Sequence, residues 1–138
     1  MPDLLDSDIV IDYLQRQPAI RLQFRGFRHD GLSISAVTHM EVLDGILSNV
    51  DSVTASVDFD EFLMFVAVLP FSRREADLCA RLRADLRRRG RRTRARYLDL
   101  MIAATAMTHG LTLVTRNRDD YGDLPGLTLV RAHGDGDA

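Results

Sequence analysis

Three observations predict an α/β fold for this chain, an α/β/α sandwich with a central, mainly parallel sheet of four to five strands. Short apolar runs alternate with longer segments whose apolar residues recur at helical spacing. Turn signals, among them Asp30-Gly31, Gly90 and Gly110, separate these segments. The length, 138 residues, suits one domain that buries roughly two-thirds of its unfolded surface, and neither a repeat nor a linker divides it. The expected organisation is one domain over residues 1–132 and a disordered tail over 133–138.

The elements follow in order. DLLD (3–6) reads as a short strand, and 7–15 as a helix capped by Ser7 or Asp8. Gln17-Pro18 breaks the chain, and 18–28 reads as a second helix with its arginines outward. LSIS (32–35) is a strand. Ser35 or Thr38 could cap the helix that carries Met40, Val42, Leu43 and Ile46. Residues 51–57 are either a loop or the start of a helix running through Phe59 and Phe62. VAVLPF (66–71) is predicted as a buried strand ending at Pro70. An amphipathic helix over 73–89 places Ala76, Cys79, Leu82 and Leu86 on one face and stops at Gly90. The basic loop RRTRAR leads into the apolar helix 97–110. LTLVT (111–115) is a buried strand, NRDDYGDLPG a loop or short helix, and LTLV (127–130) the last strand.

Composition excludes several chemistries. All 18 basic residues are arginine, so no lysine can form a Schiff base, a phosphate-loop contact or a Ser-Lys pair. The single cysteine, Cys79, cannot form an internal disulfide and suits a small buried hydrophobe in a reducing compartment. The histidines (29, 39, 109 and 133) lack zinc-ligand spacing. Without a basic leader or a run of roughly 20 apolar residues, the expectation is a cytoplasmic protein with no membrane partner. Eleven arginines fall between Arg73 and Arg96 although the net charge is −2. That segment is either a solvated helix face or a surface for a phosphate backbone.

The carboxylates are more informative. Active sites of parallel α/β sheets form at the carboxyl ends of the strands. Asp6 ends the first strand and Asp8 lies just beyond it. Glu41 sits in the helix after the second strand, and Asn117, Asp119 and Asp120 follow LTLVT. Asp99 begins the most apolar helix, where a lone carboxylate is costly. Asp8 could cap a helix or face the cleft. Asp12 suits solvent or an arginine partner, Asp44 the surface, and Tyr13, Tyr97 and Tyr121 core or rim positions. Converging carboxylates repel one another, and a divalent cation removes that repulsion. Oxygen donors without histidine or cysteine suit Mg²⁺ or Mn²⁺, which can polarise a phosphodiester and activate water.

Four segments, LLDSDIVIDYL, SISAVTHMEVLDGI, LDLMIAATAMTHGLTLVTRN and RDDYGDLPGLTLV, occur in the order and spacing of PIN-domain ribonucleases. Nearly the whole chain resembles that family, and most nearly its VapC-type toxins. The resemblance implies an α/β/α fold and Mg²⁺- or Mn²⁺-dependent endonucleolytic cleavage of RNA. It also implies a homodimer and inhibition by a VapB-like antitoxin. By the same resemblance Asp6, Glu41 and Asp99 are the first three acidic residues of the site. Asn117 or Asp120 supplies the fourth, and Thr115 lines the site. The expected catalytic set is Asp6, Glu41, Asp99 and Asp120, with metal held by Asp6, Asp99, Asn117 and Asp120. Asp8, Thr115 and Arg116 are expected behind these residues or against substrate. Two positions depart from the family pattern: Asp8 stands where Asn is usual, and RRTRARY replaces a Pro-Ile type loop.

A competing pattern is DSDIV, which matches the DxDx[TV] signature of haloacid-dehalogenase-like phosphatases. There Asp6 would be the nucleophile and Asp8 the general acid for small phosphomonoesters. That reading leaves Glu41 and Asp99 unexplained. A third reading is a non-catalytic module that uses the same scaffold for docking.

Overall fold

The computed structural model describes residues 2–27 and 31–132, with the side chains of 25–27 excepted. The tail 133–138, the Asp30 half of the turn, His29 and His133 lie outside the described residues. The strands are β1 (Asp3–Leu5), β2 (Leu32–Ser35), β3 (Ala67–Leu69), β4 (Thr112–Thr115) and β5 (Leu129–Arg131). The helices are α1 (Ser7–Leu14), α2 (Pro18–Phe27), α3 (Ala36–Leu47), α4 (Ser52–Phe62), α5 (Arg73–Arg88) and α6 (Tyr97–Thr108). Single 3-10 turns occupy Arg94–Arg96 and Arg118–Asp120.

The described strands form one five-stranded sheet in the order β3-β2-β1-β4-β5. Every pairing is parallel, and β1 lies at the centre with Leu4 opposite Ser33 on one side and Leu113 on the other. Strand periodicity sends neighbours to opposite faces. Leu4 and Leu113 join Val37, Cys79, Leu82, Leu86, Leu100 and Ala103 beneath α5 and α6. Leu5 and Val114 join Ile9, Val10, Phe24, Ile34, Phe59 and Phe62 on the other face. The two layers of helix are thus specified by adjacent residues of the central strands. Among the described residues no helix is long and apolar enough to cross a membrane.

Two sequence expectations need correction, and one left open is resolved. The run 66–71 does not form a buried strand. β3 is the edge of the sheet, with Ala67 and Val68 exposed, and the buried member of the run is Val66, just before it. Apolar composition alone does not distinguish an edge from a centre, because that depends on which strand pairs next. The segment 51–57, read as loop or helix, is helical from Ser52. The cap of α1 is neither Ser7 nor Asp8 but Asp6, whose backbone is extended and whose carboxylate accepts the Ser7 N–H. The last strand, expected over 127–130, is shifted to Leu129–Arg131, and elsewhere the boundaries follow the sequence signals to within two residues. Ser35 caps α3, and Gly90 and Gly110 take φ of +77° and +64° where α5 and α6 stop.

Candidate active site

Asp6 leaves the carboxyl end of the central strand, where the sheet opens between β2 and β4. Only 6% of it is exposed, and its oxygens are held from three sides. Oδ1 accepts the Ser7 N–H at 2.8 Å. Oδ2 accepts the Thr115 hydroxyl at 2.8 Å and the Tyr121 hydroxyl at 2.9 Å. The Tyr121 oxygen also lies 3.3 Å from Asp99 Oδ1, so one phenol spans the carboxylates of Asp6 and Asp99. Residue 99 is reached because α6 begins at Tyr97, directly beside this strand end.

Glu41 enters from α3. Its Oε1 accepts the Ser7 hydroxyl at 2.7 Å. Ser7 also stands 3.3 Å from the Thr38 hydroxyl, which contacts Ser35 in turn. This buried hydroxyl chain ties the carboxyl ends of β1 and β2 together. Asp8, in the first turn of α1, is directed at the segment that follows β4. Its Oδ2 accepts the Arg116 N–H and the Asn117 side-chain amide, each at 3.2 Å, while its buried Oδ1 has no hydrogen-bond partner.

The electrostatics follow from crowding. Burial pushes Asp6 above the ordinary carboxylate range, against its donors Thr115, Ser7 and Tyr121, and the nearby charge of Asp120 adds to the rise. Burial, then the charges of Asp6 and Asp120, raises Asp99 to about 6. Asp8 is raised to about 7 by burial and then by Asp6. The Tyr121 phenol is pushed up by burial and by Asp6 and Asp99, so it stays protonated and donates.

The sequence-derived residues therefore divide. Asp6 and Asp99 meet through Tyr121, and Glu41 joins them through Ser7. Asp120 is exposed but close enough to raise both Asp6 and Asp99. Thr115 lines the site through its bond to Asp6. Asn117 is turned onto Asp8, and its own N–H donates to Thr115 Oγ1 at 3.0 Å. Asp119 and Asp44 are exposed. The Arg116 guanidinium is occupied by Asp12, with Nε 2.7 Å from Oδ2. Asp12 is thus not solvated: it is 2% exposed and its arginine partner is Arg116. Sequence reasoning missed Ser7 and Tyr121 as members of the site. A buried phenol or hydroxyl needs a hydrogen-bond partner, and both residues belong to acid-rich stretches, which was the available signal.

Among the described residues no three acidic, histidine or cysteine side chains converge closely enough to chelate a metal as they stand. The donor set nevertheless fits a hard divalent cation. It is all oxygen, and two of its carboxylates, Asp6 and Asp99, are driven above their ordinary range by burial and by neighbouring carboxylates, the excess negative charge that a cation neutralises.

Comparison with known proteins decides the family. The PIN domain profile matches residues 4–125. The chain belongs to the PIN-domain family. The tRNA(fMet)-specific endonuclease VapC of Shigella flexneri is 28% identical over 124 residues, covering 90% of this chain and 92% of that protein. Ribonuclease VapC1 of Rickettsia felis is 30% identical over 131 residues, covering 92% and 93%. The fold is shared with VapBC of Salmonella typhimurium in a DNA-bound crystal structure, with a TM-score of 0.86, 25% identity and 96% and 99% coverage. VapBC2 of Rickettsia felis, bound to a promoter DNA fragment, has a TM-score of 0.86 at 22% identity, with coverage of 95% and 98%. The phosphatase pattern DSDIV finds no support in this PIN-domain site. Asp8, its general acid, is turned onto the Arg116 and Asn117 N–H groups.

Proposed function

We propose that this protein is a Mg²⁺- or Mn²⁺-dependent endoribonuclease, the toxin of a VapBC-type toxin–antitoxin pair. The observation that carries the reading is the Asp6–Tyr121–Asp99 bridge, with Glu41 joined to it through Ser7 and Asp120 electrostatically coupled to both bridged carboxylates. The relatives named as VapC nucleases and the VapBC complexes that share the fold support the same reading. RNA is the proposed substrate, a VapB-like protein the proposed inhibitor and a homodimer the proposed assembly.

Asp6, Asp99 and Asp120 are the residues that would hold the ion. Asn117 is better suited to propping Asp8, given its present hydrogen bond. When bound, the ion supplies charge neutralisation and polarises the scissile phosphodiester. Glu41, oriented by the Ser7 hydroxyl, accepts a proton from the water that attacks phosphorus, and the ribose oxygen that leaves as the P–O bond breaks takes a proton from solvent. Thr115 and Ser7 keep Asp6 fixed, so its carboxylate needs little reorganisation during the reaction.

The test incubates purified protein with total RNA, with and without Mg²⁺ or Mn²⁺, beside Asp99→Asn. Metal-dependent cleavage that disappears in the variant is the expected result. Phosphate release from small phosphomonoesters without any RNA cleavage would overturn the proposal.

A further inference from the structure

The arginine-rich segment is not uniformly free to meet a substrate. The Arg96 guanidinium meets the Asp123 carboxylate at two points, Nη1 to Oδ2 at 2.8 Å and Nη2 to Oδ1 at 2.7 Å. Nη2 also donates to the Asp120 carbonyl at 2.9 Å. Arg89 donates to the Asp123 carbonyl at 2.9 Å, and Arg91 Nε lies 3.9 Å from Asp123 Oδ2. Three arginines thus converge on one turn residue. The central pair is largely shielded, with side chains 21% and 16% exposed, and it holds the Asp123 carboxyl below its ordinary range. A planar two-point pair constrains orientation as well as distance.

Its placement matters more than its strength. Arg96 immediately precedes α6, which carries Asp99 in its first turn. Asp123 closes the turn that carries Asp120 and Tyr121. The pair therefore joins the two segments that bring Asp99, Asp120 and the bridging phenol to Asp6.

We propose that Arg96 and Asp123 are positioning residues of the acidic centre, and that their ion pair sets the Tyr121 hydroxyl between Asp6 and Asp99. The inference rests on the nuclease reading above. Arg96 is not a phosphate contact in this arrangement, because both of its terminal nitrogens are committed to the 120–123 turn.

The variants Asp123→Asn, Arg96→Gln, Arg96→Lys and Tyr121→Phe test it, with Asp99→Asn and Arg73→Gln as references. For Asp123→Asn the expected result is a kcat about 10- to 100-fold lower with an unchanged KM for RNA. Mn²⁺ affinity, measured by calorimetric titration without RNA, should fall about tenfold, and amide exchange across 118–124 should accelerate. Arg96→Lys keeps the charge but not the two-point geometry and should fail to restore either quantity. Tyr121→Phe should lower kcat and Mn²⁺ affinity without the faster exchange, and Arg73→Gln should match the wild type.

A phosphate-binding Arg96 predicts the opposite pattern, with KM raised in Arg96→Gln and lowered in Asp123→Asn where the guanidinium is released. That result would overturn the inference, as would wild-type kcat and Mn²⁺ affinity in a folded Asp123→Asn. Retained cleavage in Asp99→Asn would instead overturn the nuclease reading itself.

Discussion

The two ends of the α5–α6 layer treat a buried carboxylate in opposite ways. At the start of α6, Asp99 is pushed up by burial and then by Asp6, and Asp6 is pushed up by burial with a further rise from Asp120. At the far end Glu75 is pulled down to about 2, by the Ser72 hydroxyl above all and against its burial. Glu75 is 2% exposed, yet it lacks nothing. It accepts the Ser72 N–H at 2.9 Å in a capping box, and it pairs with His109 Nε2 at 3.0 Å where α6 ends. The Asp6–Asp99 end has hydroxyl and amide donors but no arginine or histidine partner in hydrogen-bond contact with either carboxylate among the described residues. A carboxylate retained for stability is satisfied completely. The carboxylates proposed for catalysis are held in place and left with excess charge, as a site for an added cation requires.

The largest expected effect follows directly. Asp6→Ala or Asp99→Ala should lower RNA cleavage by at least about a hundredfold, a loss comparable to that of a key transition-state stabilising group. Stability without metal should be unchanged or higher in Asp99→Ala, because repulsion is relieved, whereas Asp6→Ala also loses the α1 cap and the acceptor of the buried Thr115 and Tyr121 hydroxyls and should be destabilised. Cleavage rates paired with urea midpoints in chelator measure both quantities. An Asp99→Ala variant that lost stability and activity together would break the contrast.

Glu75→Ala should do the reverse. It removes a capping box and leaves His109 without its partner, so a loss of about 1–3 kcal/mol is expected. Cleavage measured well below the unfolding temperature should stay within about twofold of the wild type, since residue 75, in the first turn of α5, meets α6 at the end opposite Asp99.

The contrast also predicts a shape for stability against pH. Asp99 at about 6 and Asp8 at about 7 bind protons more tightly folded than unfolded, where both start from 3.8. Their contribution therefore falls as pH rises from about 4 to about 7. Glu75, at about 2 against 4.5, contributes above 4.5 and loses that contribution as pH falls toward 2. Denaturation midpoints in chelator should peak at about pH 4, where these two windows meet. Asp99→Asn should flatten the neutral limb by on the order of 1 kcal/mol, allowing for solvent screening, and Glu75→Gln should flatten the acid limb. Mg²⁺ should raise stability more at neutral than at mildly acidic pH.

Much of this could be read from the chain before any geometry. The strand and helix alternation was visible because parallel strands buried on both faces are short apolar runs. Asp99 stood out because a carboxylate among Leu98, Leu100, Met101 and Ile102 needs a reason. Pairings between distant segments were not visible. Nothing local to Tyr121 says that its hydroxyl reaches residue 6, 115 positions earlier. The edge position of β3 is likewise a property of the sheet order. Arginine spacing along 73–96 could not separate arginines bound to Asp123 from those facing solvent, because Asp123 is distant in sequence.

That last distinction gives the smallest effect. Arg73 lies in the same basic segment as Arg96 but is 93% exposed, 3.8 Å from an Asp77 that is itself 61% exposed, one helical turn on. An exposed pair of this kind gains little Coulomb energy, which side-chain ordering and salt offset. Arg73→Gln should shift the urea midpoint by less than the equivalent of about 0.5 kcal/mol, and that shift should vanish in high salt. If it instead weakened cleavage in a salt-dependent way, the outward face of α5 would be meeting the RNA backbone, and the division between committed and free arginines would acquire a second functional side.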